Sequence, residues 1–227
     1  AVAETEGSPP IVSLLRQIFQ VAAAGTQADD RHRREALEEA LEEGDPRIRR
    51  AGVEALGGMI QTYLTRSAEF EQTGAEPFRP EWRPPDQSTM YAYFNWALER
   101  LREIWGKAPE LRAAIEEHVA GDLRNLLAPE LLPAIDAFVR EVVAGAGHYF
   151  RATKSIGDWL YFDSTEKPTK FSRAVRALYD ATLPRDPVDQ ALLHSRFWMS
   201  DLHDPDKRYA QDQERPDYDR SARIVAT

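Results

Sequence analysis

The sequence predicts an all-α protein, an irregular α-solenoid of about eight or nine helices with essentially no sheet. Three observations carry this. Apolar residues recur at helical spacing through most of the chain. No segment alternates with a period of two between turn residues, as a half-buried strand would. Proline follows Asp or Ala just inside expected helix starts at Pro46, Pro109, Pro129 and Pro187, where its missing N–H is not needed.

The elements follow in order. A first helix is expected from Pro9 or Pro10 to Ala24, stopped by Gly25, and a second from about Asp30 to Glu43, stopped by Gly44. The third starts at Asp45 and Pro46, with Ile48, Leu56, Met59, Ile60, Tyr63 and Leu64 on its apolar face. Met90, Phe94, Leu98, Leu101, Ile104 and Trp105 mark a fourth, entered through Asp86 as cap. "APELRAAIEEHVAGDLRNLLA" and "APELLPAIDAFVREVVAG" supply two more, then "GHYFRATKSIGDWLYFD", "KPTKFSRAVRALYDATL" and "DPVDQALLHSRFW". Residues 1–8 read as a flexible lead-in, 9–199 as the helical repeat domain, and 200–227 as a polar tail with a short helix near Asp217–Val225. Within the domain, residues 66–86 are rich in proline but carry Phe70, Phe78 and Trp82. A disordered linker rarely carries such aromatics, so this stretch is expected to be an ordered excursion with Trp82 mostly buried.

Composition bounds the function. The 227 residues are 42% hydrophobic and 30% charged, enough for a packed core under a charged surface. The formal charge of −9 argues against sequence-independent nucleic-acid binding, which needs a surplus of Lys and Arg facing phosphate. The absence of cysteine excludes disulfides, zinc–thiolate sites, iron–sulfur clusters and thiol nucleophiles from this chain, and fits a reducing, cytoplasmic setting. No apolar run approaches the roughly 20 residues that cross a bilayer, and no membrane partner is expected. The first residues lack the pattern of a signal peptide. With Ala1 in place of an initiator Met, the chain is expected to be processed or part of something longer.

"DPRIRRAGVEALGG", residues 45–58, resembles the second helix of a HEAT-type repeat. Asp45 caps it, Ile48 and Leu56 face inward, Arg49 or Arg50 lies on the open side, and Ala51, Gly52 and Ala55 sit where helices come close. "RHRREALEEALEEG" fits the first helix of the same unit. Over residues 35–225 the order of elements is similar to the C-terminal helical regions of prokaryotic STAND-type and other multidomain NTPases, many linked to antiviral defence. That resemblance implies a sensor or scaffold piece whose NTPase and effector lie elsewhere. The chain has no Gly-x-x-x-x-Gly-Lys-[Ser/Thr]; "WGKAPE" lacks the first glycine and the hydroxyl.

No motif carries catalysis. The histidines are His32, His118, His148, His194 and His203, with no His-Glu-x-x-His among them. Ser155 and Ser195 have a histidine nearby in sequence but no nucleophile turn. Asp201, His203, Asp204 and Asp206 are the densest set of metal-type ligands, yet they lack the glycine and distal Glu of a calcium loop, so a solvated turn is the favoured reading. Glu38/Glu39, Glu42/Glu43 and Glu116/Glu117 read as solvated helix faces rather than acid–base pairs. The basic run Arg31, Arg33, Arg34, Arg47, Arg49 and Arg50 is expected to neutralise the neighbouring glutamates. No cofactor and no catalytic residue are assigned. The expectation is a non-enzymatic interaction, sensor or scaffold module that binds a protein or other domains of its assembly. Interaction candidates are Arg47, Arg50, Trp82, Tyr91, Tyr149 and Trp159. The alternative is an adaptor or substrate subunit recruited or processed by a partner enzyme.

Overall fold

The computed structural model describes residues 10–22, 24–62, 81–164, 167–196, 202, 203 and 206. Among them all regular structure is helical: nine α-helices and one 3-10 turn, with no strand. They are α1 (Pro10–Phe19), α2 (Asp30–Glu42), α3 (Pro46–Met59), α4 (Gln87–Lys107), α5 (Arg112–Leu126, entered through the 3-10 turn Pro109–Leu111), α6 (Leu132–Ala146), α7 (Phe150–Phe162), α8 (Lys170–Thr182) and α9 (Pro187–Arg196). No helix among the described residues is long and apolar enough to cross a membrane. The expected stretches 1–8, 66–80, the last helix near Asp217–Val225, Tyr63 and Leu64 lie outside the described residues.

Most helix starts are fixed by local chemistry. The Asp29 carboxylate accepts the His32 N–H at 3.0 Å, Asp45 accepts that of Arg47 at 2.8 Å, and Asp86 accepts that of Thr89 at 2.7 Å. At α8, Thr169 and Ser172 exchange side-chain and backbone bonds, a capping box with Ser in the Glu/Gln position. Pro129 does not open α6. Leu131 and Leu132 turn back onto the Ala128 carbonyl, and the helix starts at Leu132 with Pro133 in its first turn.

The chain divides into two compact units, residues 1–122 and 123–227. In the first, α3 packs against α1, α2 and α4. Leu37, Val53, Leu56, Met59, Tyr93, Leu98 and Leu101 form its interior. Glycines set how close α3 comes to its neighbours. A Cβ on Gly52 would meet Leu41 Cδ2 at 2.9 Å, one on Gly57 would meet the His118 ring at 2.7 Å, and one on Gly58 would meet the Arg16 carbonyl oxygen at 2.3 Å. Ile48 is not inward as expected. It is 42% exposed, because the burial of α3 begins only at Gly52 and its first turn projects past the packed region.

α1 ends at Phe19, short of the expected Ala24. No Gly or Pro stops it. The buried Arg33 of α2 donates to the Gln20 carbonyl at 2.6 Å, and the Tyr93 hydroxyl of α4 donates to the Phe19 carbonyl at 2.6 Å. These distant side chains satisfy the last carbonyls of the helix. The guanidinium also sits where the helix dipole favours a cation. The chain then turns at Gly25, whose φ of 68° lies in the left-handed region.

In the second unit α8 packs against α6 and α7. Ile135, Phe138, Val139, Val142, Ile156, Val175 and Leu178 are its interior. Gly147, at φ 79°, closes α6 by donating its N–H to Val143. The Thr153 hydroxyl donates to the Thr182 carbonyl at 3.2 Å, tying α7 to the end of α8.

Candidate functional site

An open, charged surface of the first unit lies on α2. A shallow groove of about 660 Å³ is lined by Arg31, Arg34, Glu35, Glu38, Glu39, Glu42, Glu43 and Gly44. Periodicity places these residues here: Leu37 and Arg33 take the buried stripe, leaving the glutamates on the opposite side. Part of the charge is committed internally. Arg34 pairs with Asp30 and lies 5.1 Å over the Trp96 ring, while Arg100 of α4 forks onto Glu38 through Nε and Nη2. Arg31 and Glu35 are a loose surface pair at 3.9 Å. Glu39 and Glu42 face solvent, so the groove presents net negative charge. Beside it, the projecting turn of α3 exposes Arg47, Ile48 and Arg50. Arg47 grips its own cap residue, holding the Asp45 carboxyl below the usual carboxylate range through side-chain and backbone hydrogen bonds.

The basic run foreseen in the sequence is therefore split. Arg33 is buried, Arg34 pairs with Asp30 and stacks on Trp96, Arg49 donates to the Glu43 carbonyl at 3.4 Å, and Arg47 and Arg50 remain on the edge. Of the other interaction candidates, Tyr91 is half-exposed and accepts a bond from Gln87 at 2.9 Å. Trp159 is half-buried, edge-on to Phe171 at 5.3 Å. Tyr149 is not a surface anchor. It is 4% exposed and packs edge-on against Phe138 at 6.3 Å.

Trp82 is more buried than exposed, as expected for an ordered excursion. Its backbone N–H donates to the Thr26 carbonyl at 3.0 Å, its ring lies 5.8 Å from that of Tyr93, and the Arg33 guanidinium stacks over it at 4.9 Å. The neighbouring Glu81 accepts the Gly25 N–H at 3.0 Å. The segment entering α4 is thus bonded to the turn after α1.

Periodicity alone did not reveal two polar clusters. In the first, Arg16 of α1 and His118 of α5 converge on Glu54 of α3. Arg16 Nε donates to Glu54 Oε2 at 2.9 Å, and His118 Nε2 lies 3.2 Å from the same oxygen. Burial works to raise the Glu54 pKa, but His118 and Arg16 outweigh it and hold it at about 2. A carboxyl so acidic is a fixed anion that pins three helices, not a proton donor at neutral pH. The second cluster is the Arg33–Tyr93 pair under Trp82. Burial pushes the Tyr93 hydroxyl up to about 12 against the opposing pull of Arg33. The signal for both was a charged residue on an apolar stripe, visible at Arg33 one turn before Leu37.

Of the metal candidates, His203 and Asp206 are described, and each is held by other side chains. His203 Nδ1 contacts Asp158 at 3.0 Å, and its ring stacks on Tyr161 at 4.5 Å. Asp206 pairs with Arg176. Asp201 and Asp204 lie outside the described residues. Among the described residues no group of three or more His, Asp or Glu side chains could hold a metal ion. These contacts hold His203 against α7 and Asp206 against α8.

No family model matches the chain, and no curated protein or solved structure is detectably similar to it.

Proposed function

We propose that this chain is a non-enzymatic helical-repeat interaction module, a sensor or scaffold piece of a larger prokaryotic, defence-type assembly. The observation that carries the reading is the α2–α3 edge. A solvent-facing acidic groove lies beside an exposed Ile48 flanked by Arg47 and Arg50, on a helix otherwise held firmly by α1, α2 and α4. A rigid hairpin with an apolar anchor inside a charged rim is the arrangement of a protein-binding surface. The α2–α3 hairpin also supports the HEAT-like reading, with small residues at its close contacts. A solenoid arrangement of the remaining helices belongs to the same proposal.

The test is affinity capture followed by a quantitative binding assay. Ile48→Asp with Arg50→Glu keeps the melting temperature and weakens the captured partner at least tenfold. Unchanged affinity would remove this edge from the interface. For the wider assembly, a P-loop encoded upstream in the same reading frame supports the sensor reading, and a complete short gene of this length overturns it.

A further inference from the structure

We propose that Arg33 is the receptor of a small oxyanion, a carboxylate or phosphate presenting two oxygens to its Nε–Nη2 edge. Arg33 is 2% exposed, and a charge so buried is normally paired. Its hydrogen-bond partners among the described residues are neutral: Nη1 donates to the Gln20 carbonyl at 2.6 Å and lies 3.4 Å from the Tyr93 hydroxyl. Nε and Nη2 are buried without an acceptor.

Those two N–H groups point the same way and form the fork that grips a planar carboxylate or two phosphate oxygens. This protein uses that edge repeatedly. Arg100 forks onto Glu38, Arg47 onto Asp45 and Arg124 onto Asp163, in each case one oxygen to Nε and the other to Nη2. Arg16 and Arg83 bring both nitrogens to a single carboxylate oxygen. Arg33 keeps the fork and the charge, but the nearby carboxylates among the described residues are engaged elsewhere. Asp29 holds His32, Asp30 holds Arg34, and Glu81 holds Gly25 and Arg83. The Trp82 ring covers one face of the guanidinium, which leaves its edge as the polar direction.

The experiment titrates formate, acetate and phosphate into the intact chain at constant ionic strength, with chloride as the balancing salt. Melting temperature and tryptophan fluorescence are followed, and Trp82→Phe identifies the Trp82 component. The expected result is a saturable rise in Tm of roughly 5–10 °C at about a hundred times the Kd. A matching saturable change in the Trp82 signal is expected, and both are lost in Arg33→Gln. Arg140→Gln, on the exposed face of α6, retains the response. A linear, non-saturating change common to all salts overturns the proposal, as does a saturable response that survives in Arg33→Gln. If Arg33→Gln does not fold, crystals of the natural chain soaked in selenate decide. An anomalous peak at the Nε–Nη2 edge supports the site, and a single water there overturns it.

Discussion

At the scale of the residue, glycine and carboxylate positions in the first unit are set by what touches them. Gly58 lets the backbones of α3 and α1 meet, so Gly58→Ala forces the helices apart. A loss of about 3 kcal/mol is expected by urea denaturation. Gly121 is the control: it lies in α5 with nothing near its missing Cβ, and Gly121→Ala gains ~0.5–1 kcal/mol from backbone entropy alone. Glu54 carries a pH signature. Its pKa in the folded chain lies below its ordinary 4.5, so its contribution is complete above that value and lost as pH falls towards about 2. The shift corresponds to about 3 kcal/mol. In Glu54→Gln the stability between pH 2 and 5 should lose this component of its slope, as measured by denaturant titration at each pH.

At the scale of the element, helix starts depend on neighbours in sequence and helix surfaces depend on neighbours in space. Thr169→Ala removes half of the capping box and should cost ~1 kcal/mol, with faster hydrogen exchange confined to the first turn of α8. Starts of this kind were legible, since Asp45, Pro46 and Asp86 act within three residues of themselves. The end of α1 was not, because its carbonyls are satisfied by Arg33 and Tyr93, which lie 13 and 74 positions away from their acceptors. The inward expectation for Ile48 failed for a related reason. Period 3.6 gives the face of a residue but not how far along the helix the neighbour extends. The site was legible only at its rim, where Arg47 and Arg50 could be singled out by type. The convergence of Arg16, His118 and Glu54 needed three helices to be folded together.

At the scale of the whole molecule, protection should follow burial. Hydrogen exchange is expected to be slowest in α3 and α4, whose residues are among the most deeply buried, and fastest in α9, where Val188 and Leu192 are exposed and Leu193 is buried. Uniform exchange across these helices would contradict the packing. The Tyr93 hydroxyl has a further consequence at high pH. Its proton is held up to about 12, against an ordinary 10.0, so the bond it makes to α1 survives until well into alkali. Its ionisation should therefore be a late step of the alkaline titration, because Tyr93 yields its proton only as α1 lets go. The ultraviolet titration curve recorded upward and the one recorded downward should then part company, turning one buried hydroxyl into a record of whether the chain has ever been opened.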